Sequence, residues 1–321
     1  MENFWTKLKR PFFVLAPMAD VTDFAFRQMF ARYGKPDVTF TEFVSADGLA
    51  NDKGREVLIK ELRFLDNERP IVAQIFGANP ENIRQAAGII ARLGFDGVDI
   101  NMGCPDKAVL GQGAGAALIK NPQLAREIIR AAKEGAPDIP VSVKTRIGFN
   151  QIETEKWIGE LCQERPAALT VHGRTKKEMS EVDAHWDEIA KAAAIAQSRG
   201  IVFIGNGDVQ SVADGTQKAA RYQTDGIMVG RGVFGNPWFF SSKVRREDLT
   251  LAERFGVMLE HARFFEQELS QKNVKGFHVL KKHFKAYVSG FDGARELRTK
   301  LMESANTGEV EEILREYFGK N

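Results

Sequence analysis

The sequence predicts an α/β fold, a (β/α)8 TIM barrel followed by a small C-terminal all-helical domain, and three observations support this prediction. Eight short apolar runs, each bounded by turn residues, occur in the first three quarters of the 321-residue chain. A segment of helical periodicity follows each run. From about Ser241 onward the helical periodicity continues without another strand-like run. Regular alternation of this kind is typical of parallel barrels, whose chemistry gathers at the C-terminal ends of the strands.

The eight apolar runs are the predicted strands, and helix-start residues separate several of them. Asn79 and Asn121, each followed by proline, and Ser211 are predicted N-caps, because their side chains can accept hydrogen bonds from a first helical turn. An open doubly wound sheet is the alternative, but it would place a GxGxxG turn after the first strand, where this chain reads APMAD. We therefore expect a barrel domain over residues 1–242 and a helical domain over residues 243–321. The predicted strands are 12–16, 38–43, 71–76, 97–101, 141–145, 168–172, 201–206 and 226–230.

Composition restricts the class of protein. Apolar residues make up 43% and charged residues 27% of the chain, which argues against disorder. The apolar run 12–16 is too short for a signal peptide, and no stretch approaches the roughly 20 apolar residues that span a bilayer, so we expect a cytoplasmic protein with no membrane partner. Only 2 cysteines argue against a disulfide framework or a Cys-ligated iron–sulfur cluster, and no metal site is expected. A net charge of +2 means that any nucleic acid would need a local basic patch.

Polar or conformationally special residues follow most of the predicted strands, at the end of a barrel where ligands bind. The glycine-rich turns after the last two strands are positions where barrels commonly hold a phosphate, through glycine amides and a charged donor such as Arg231. In strand order, the strand-end residues are Pro17 and Met18, Gln74, Asn101 and Cys104, Lys144 and Arg146, His172 and Arg174, Asn206, Gly207 and Asp208, and Gly230, Arg231 and Gly232.

Each of these side chains also has a purely structural interpretation. Gln74 and Met18 in isolation are more often interior residues than ligand contacts. Lys144 and His172 favour function, because burying a cation without a partner is costly. Together the strand-end residues suit a flat, electron-rich ring joined to a phosphate, such as flavin mononucleotide (FMN), although they do not distinguish a flavin from a sugar phosphate.

The two cysteines are predicted to differ. Cys104 follows the fourth strand in the loop DINMGCP, where a thiol can be a nucleophile, a proton donor or inert packing. Cys162 lies in a helical pattern and is predicted to be packing.

Eight motifs, taken in order, resemble those of the tRNA-dihydrouridine synthase family. The helical segment LKKHFKAYVSGFDGARELR also resembles the family's C-terminal domain. The motifs are APMADVTD, TEFVSADGL, DINMGCP, GQGAGAALI, SVKTRIGF, VHGRT, GNGDV and MVGRG.

The resemblance implies an FMN enzyme that reduces the C5–C6 double bond of particular uridines in tRNA, with NADPH (or NADH) as reductant. In this family the reduced flavin passes hydride to C6 and a cysteine protonates C5 from the opposite side. Cys104 matches that cysteine. An ordinary thiol, with a pKa of about 8.5, is mostly protonated at neutral pH, which favours a proton donor over a nucleophile.

The resemblance also assigns roles to individual residues. Asn101 and Arg146 should place the uracil, which must leave the tRNA stack to reach the flavin. The residues expected around the flavin are Pro17, Met18 and Ala19 at its border, Gln74 and Lys144 on its ring, and His172, Asn206, Gly207, Asp208, Gly230 and Arg231 on the ring, ribityl chain or phosphate.

The helical domain offers a basic face as an RNA surface. Lys281 and Lys282 lie on one predicted helical face together with His278 and Lys285, whereas Phe277, Leu280, Phe284 and Val288 occupy the other. A solvated polar face is the alternative. The resemblance favours phosphate contact and places Lys282 and His283 at the family's basic positions. We expect tRNA as the partner, and a monomer with no obligatory protein partner.

The chain departs from the family pattern at two places, and three other functions compete with the synthase. Asp20 stands where the family often has glycine, and KKEMSEVDAHW follows HGRT, with His185 in place of an aspartate. These changes flank the site and could alter which uridine is chosen. The rivals are a small-molecule flavin enzyme similar to dihydroorotate dehydrogenase, a phosphate-binding barrel with Lys144 as a Schiff-base amine, and an RNA-binding protein that has lost the chemistry.

Overall fold

The computed structural model describes residues 3–320, and within them eight parallel strands form one curled sheet. All eight predicted strands are confirmed, with bounds that shift by two residues at most. The strands are β1 (Phe12–Leu15), β2 (Thr39–Ser45), β3 (Ile71–Phe76), β4 (Gly97–Met102), β5 (Val141–Arg146), β6 (Ala168–His172), β7 (Val202–Asn206) and β8 (Gly226–Val229).

The strand order closes the sheet into a (β/α)8 TIM barrel. Neighbours follow the sequence β1-β8-β7-β6-β5-β4-β3-β2, and each pair is parallel. Val14 of β1 forms a parallel bridge with Val38, and the Leu15 amide donates to the Val38 carbonyl at 3.0 Å. This contact, one residue before β2, joins the two ends of the sheet.

The predicted helix starts are confirmed. The side chains of Asn79, Asn121 and Ser211 accept hydrogen bonds from backbone amides of the first turn, and proline follows both asparagines. The helices are α1 (Phe24–Tyr33), α2 (Ala46–Ala50), α3 (Asp52–Glu61), α4 (Pro80–Arg92), α5 (Lys107–Gly111), α6 (Pro122–Gly135), α7 (Thr154–Gln163), α8 (Trp186–Gln197), α9 (Val212–Tyr222), α10 (Leu251–Phe265), α11 (Lys281–Tyr287), α12 (Ala294–Glu303) and α13 (Thr307–Lys320). Short 3-10 helices span Phe4–Lys7, Asp66–Glu68, Gly115–Lys120, Arg231–Val233, Arg246–Asp248 and Phe277–Leu280, and a π turn spans Glu266–Ser270.

Aromatic side chains fill the N-terminal end of the barrel. Trp5 is fully buried, with its ring 5.9 Å from that of Phe12 and 6.3 Å from that of Phe40. Ala168 and Val202, the first residues of β6 and β7, belong to the same core cluster. Because this end is closed by apolar packing, the polar strand-end residues gather at the opposite, C-terminal end.

The chain divides into two compact units, and the division differs from the predicted boundary at residue 242. The barrel unit holds the residues up to Ala19 together with Asp37–Gly232, and the helical unit holds Asp20–Pro36 together with the residues from Val233 onward. Helix α1 joins the helical unit because Phe24 and Ala25 belong to its core, and the Phe24 and Phe264 rings lie 5.4 Å apart. Arg32 and Tyr33 both bond Glu260 of α10.

Candidate active site

A cavity of about 770 Å³ opens at the C-terminal ends of β1 and β5 to β8. Its walls bring together most of the residues that the sequence predicted, from five different strands. The predicted residues on the walls are Pro17, Met18, Lys144, Arg146, His172, Arg174, Asn206, Gly207, Asp208, Gly230, Arg231 and Gly232. Four other predicted residues, Ala19, Gln74, Asn101 and Cys104, lie outside the cavity lining.

Lys144 is a cation held among protein atoms at the end of β5. Burial and the nearby charge of Arg146 lower its pKa to about 8, although Asp99 and Cys104 act in the opposite direction. The amine is therefore still mostly charged at pH 7 and gives up its proton more readily than an exposed lysine. A half-buried cation that lines the cavity favours an anionic or electron-rich ligand there.

Arg146 ties two loops of the site together. Its Nε donates to the Gly103 carbonyl at 2.8 Å, and its Nη1 donates to the carbonyls of Thr175 and Met179, each at 3.1 Å. Burial lowers its pKa to about 10, so the guanidinium stays charged at neutral pH. The loop after β4, which carries Cys104, is thereby fixed to the loop after β6.

His172 is a neutral imidazole whose tautomer follows from its neighbour. Burial holds its pKa well below the ordinary value, and the surrounding cations Arg146, Lys144 and Arg174 act in the same direction. Arg174 Nη1 lies 3.0 Å from His172 Nε2. Because a guanidinium can only donate, Nε2 accepts and the ring carries its proton on Nδ1. The site therefore offers a neutral N–H donor here.

Asp208 pairs with two arginines at the cavity wall, one of them buried and the other exposed. Burial acts to raise its pKa, but hydrogen bonds from Arg174 and from the Ala184 amide, at 2.8 Å, outweigh it and lower the pKa. Arg231 Nη2 lies 3.4 Å from the other carboxylate oxygen, with most of its own side chain exposed. Asp208 thus orients an accessible guanidinium at the rim.

Gly207 must be glycine for this wall to pack. Its φ of +143° is rare for other residues, and a Cβ there would lie 2.5 Å from the Ala184 Cβ. The Trp186 indole donates to the Gly207 carbonyl at 3.1 Å, which holds the turn against α8.

Cys104 is a half-buried free thiol in a turn fixed from both sides. Its amide donates to Asn101 Oδ1 at 2.8 Å, and its carbonyl accepts the Ala116 amide at 3.0 Å. Gly115 allows this approach, because with a φ of +59° its Cβ would lie 2.8 Å from the Cys104 carbonyl oxygen. Burial raises the pKa of the thiol, so it is protonated at neutral pH. Cys162, by contrast, is fully buried in α7, as predicted.

Gln74 and Asn101 form an internal network. Gln74 is fully buried, with its side-chain oxygen and nitrogen bonded to Asn101 and Asp99. Its position favours an internal role over the direct ring contact that the resemblance implies. Sequence reasoning did not single out Asp99, although strand alternation puts it on the same face as Asn101, two residues later.

The two departures from the family pattern have local partners. Asp20 adopts a left-handed conformation, φ +56°, which glycine adopts most easily, and its carboxylate pairs with Lys275 at 2.9 Å. In the loop after β6, His185 Nε2 lies 3.0 Å from Glu178 Oε1, and Glu178 also accepts the Thr175 amide at 2.7 Å.

The residues of the predicted basic face differ in their exposure. His278, Lys282 and Lys285 are exposed and Lys281 is half-buried. His283, which the resemblance assigns to the basic positions, is only 2% exposed, so its ring is not available to a phosphate in this structure.

His283 lies among aromatic rings of its own unit. Its ring lies 5.0 Å from both Phe26 and His261.

Within residues 3–320, none of the helices has the length and apolar content that a transmembrane span requires. Within the same range, no group of three or more His, Cys, Asp or Glu side chains is placed to hold a metal ion.

The family model and the relatives that match this chain agree with one another. The family model described as dihydrouridine synthase matches residues 14–321. A protein of Bacillus subtilis named probable tRNA-dihydrouridine synthase 2 is 41% identical, over 99% of this chain and 98% of its own length. A probable tRNA-dihydrouridine synthase of Staphylococcus epidermidis is also 41% identical, over 98% of this chain and 95% of its own.

Similar solved structures share the fold at low identity. The 6-hydroxypseudooxynicotine amine oxidase of Pseudomonas geniculata gives a TM-score of 0.53 at 15% identity, over 71% of this chain and 46% of that one. The histamine dehydrogenase of Rhizobium gives 0.50 at 12% identity, over 71% of this chain and 44% of that one. At these identities the likenesses show a shared fold and nothing of function.

Proposed function

Since this chain belongs to the dihydrouridine synthase family, we propose that it is an FMN-dependent oxidoreductase that reduces the C5–C6 double bond of specific uridines in tRNA, with NADPH or NADH as reductant and Cys104 as proton donor. The observation that carries the proposal is the half-buried free thiol of Cys104, held in a turn that Asn101 and Arg146 fix through hydrogen bonds. Membership of this family does not favour the alternative function, a flavin enzyme that acts on a small molecule.

The cavity residues fit a flavin mononucleotide. A volume of about 770 Å³ lies within the range of cofactor pockets, and the walls supply cationic and neutral N–H donors on one side and glycine turns on the other. Lys144 and His172 would hold the ring, bordered by Pro17, Met18 and Ala19. Asn206, Gly207, Asp208, Gly230 and Arg231 would hold the ribityl chain and phosphate.

In the proposed reaction the protein itself donates the proton and positions the uracil. The bound flavin would supply a hydride, taken from NADPH or NADH, to C6 of the uracil. Cys104 would donate its Sγ–H proton to C5, so that one hydride and one proton add across the double bond and a thiolate remains. Lys144 and Arg146 both lower the pKa of this thiol, which means that they stabilise that thiolate until solvent reprotonates it. Arg146 would place the uracil, and Asn101, whose side chain bonds inside the barrel, would contribute through the turn that it fixes.

The helical unit would bind the tRNA backbone. Lys281, Lys282 and Lys285 present positive charge on one face of the segment that contains α11, and His278 lies on the same face. Phosphate contacts of this kind fix the orientation of a nucleic acid without reading its sequence. We expect the chain to act as a monomer.

An anaerobic reoxidation experiment tests the proposal. The purified flavoprotein is reduced with NADPH, excess reductant is removed, and tRNA from cells that lack dihydrouridine is added. Rapid return of oxidised-flavin absorbance with tRNA, but not with uridine or orotate, is expected. A yellow protein that tRNA does not reoxidise would indicate a small-molecule enzyme, and a protein without flavin would contradict the cofactor.

Replacing each cysteine in turn tests the proton donor. Cys104→Ala should retain flavin and NADPH oxidation but lose roughly 10²- to 10⁴-fold in tRNA reduction, the usual contribution of a general acid. Cys162→Ala is the matched control, because that thiol is buried in α7. Near-parental tRNA reduction by Cys104→Ala would remove this residue from the mechanism.

A further inference from the structure

A chain of side-chain hydrogen bonds runs inside the barrel from a buried carboxylate to the turn that carries Cys104. Gln74 Nε2 donates to Asp99 Oδ2 at 2.7 Å, and Asn101 Nδ2 donates to Gln74 Oε1 at 2.9 Å. Asn101 Oδ1 then accepts the backbone amides of Gly103 at 3.1 Å and of Cys104 at 2.8 Å. These four bonds, from Asp99 to Cys104, are called the amide relay below.

We propose that Asp99 is a positioning residue for the proton donor, because its carboxylate sets the direction of every bond in the amide relay. An ionised carboxylate only accepts, so Gln74 must turn its N–H toward Asp99 and its oxygen toward Asn101. Asn101 must then turn its own N–H toward Gln74 and its oxygen toward the turn. The proposal rests on the proposed function, since only there does the position of the Cys104 thiol matter for chemistry.

The strand register builds the relay into the barrel. Asp99 faces Gln74 across the β3–β4 pair and Ser142 across the β4–β5 pair. Asp99 and Gln74 have no exposed surface, and Asn101 has almost none. Reversing one amide in such a place would set donor against donor and leave buried polar groups unsatisfied, which is costly.

Asp99 must be ionised for its carboxylate to act only as an acceptor in the amide relay. Burial raises its pKa to about 6, while hydrogen bonds from Ser142 and Gln74 and the charge of Lys144 act to lower it. The carboxylate is therefore ionised at pH 7.5. Ser142 Oγ donates to the second carboxylate oxygen at 2.6 Å, outside the path to Cys104.

Alkylation of Cys104 by iodoacetamide measures the relay directly. In full-length Asp99→Asn at pH 7.5, the amide at position 99 can both donate and accept, so it no longer fixes which way the Gln74 amide points. The turn that carries Cys104 then becomes less rigid. The alkylation rate of Cys104 should rise on the order of threefold to tenfold. Ser142→Ala is the matched control, because it removes a donor from the same carboxylate without changing what Gln74 meets. The rate of the buried Cys162, measured in the same peptide map, is the internal reference.

A swapped pair distinguishes positioning from general damage. In Asp99→Asn with Gln74→Glu, the carboxylate at position 74 accepts both from the amide at position 99 and from Asn101, so the direction is restored. The Cys104 alkylation rate should return to within about twofold of the parent. A parental rate in Asp99→Asn alone, an equal rise in Ser142→Ala, or a swap that stays fast would each overturn the proposal.

Hydrogen exchange of the unaltered protein covers the case in which a variant fails to fold. The backbone amides of Gly103 and Cys104 should exchange slowly although they lie in a loop, and exchange at the rate of an open loop would overturn the relay. Neither measurement uses flavin turnover or tRNA. A protein that does not reduce tRNA yet shows the expected alkylation pattern therefore contradicts the proposed function and leaves the relay standing.

Discussion

The buried imidazoles of the helical unit should make the protein lose stability in mild acid. His261 and His283 lie with their ring centroids 5.0 Å apart, and neither nitrogen of His261 has a hydrogen-bond partner within residues 3–320. Burial lowers the pKa of His261 to about 3. Burial also lowers the pKa of His283 well below its usual range, with His261, Lys282 and Lys275 acting in the same direction. Both rings are therefore neutral in the folded protein near pH 6.

The magnitude follows from proton linkage. In the unfolded chain a histidine has a pKa of about 6.5, so the unfolded state binds protons below that pH while the folded state does not. Stability is therefore present above pH 6.5 and is lost as the pH falls below it. Between pH 7 and pH 5.5 each buried imidazole costs about 1.2 kcal/mol, or about 2.5 kcal/mol for the two.

Urea unfolding at both pH values measures this loss. The double variant His261→Phe with His283→Phe removes the titrating groups while keeping aromatic packing, so its loss between pH 7 and pH 5.5 should be smaller than the parent's by about 2.5 kcal/mol. His278→Gln, at an exposed position of the same unit, is the control. An equal loss in parent and double variant would mean that the folded protein accepts these protons, which would refute the reasoning.

Two further changes test the RNA face and the cavity wall. Lys281→Glu with Lys282→Glu should weaken tRNA binding and make the affinity depend less steeply on salt concentration. Filter binding across a salt series measures both effects. Unaltered affinity at low salt would favour the alternative of a solvated polar face. Gly207→Ala should lower stability by about 1–3 kcal/mol in thermal unfolding, because the new Cβ would meet Ala184. Gly159→Ala, at a helical position with open space, is the control and should be neutral or stabilising. Equal effects of the two changes would show that the residues around Gly207 shift to accept a Cβ.

The barrel could be predicted because its signal is local, whereas the assignment of α1 could not. Each strand is a short apolar run that the sequence shows directly, and its bounds follow from flanking glycine, proline and asparagine. Helix α1 also occupies the place that the alternating pattern requires, between β1 and β2. Its apolar residues Phe24 and Ala25 join the core of the helical unit. Periodicity shows that a helix has an apolar face but does not show which core that face enters.

Most residues of the site could also be predicted from their places at the strand ends. What could not be predicted has the same cause as for α1, because the sequence pattern does not show which neighbours a side chain meets. Strand-end positions brought Lys144 and His172 to one cavity. His283 was assigned by resemblance to the basic face, yet it stands three residues after the buried Leu280, a spacing that puts both on one helical face. The role of Asp99 is a cross-strand property, so the register was needed to see it.

The electrostatics of Cys104 explain why the same residue suits a proton donor better than a nucleophile. Burial, the largest influence, raises the pKa of the thiol and keeps the proton on sulfur at neutral pH. Arg146 and Lys144 act in the opposite direction and stabilise the anion that remains when the proton has left. A nucleophile needs the thiolate before the reaction, whereas an acid needs the thiol before it and a tolerated thiolate after it. Partial burial beside two cations, in a turn whose amides are fixed by Asn101, meets the second requirement.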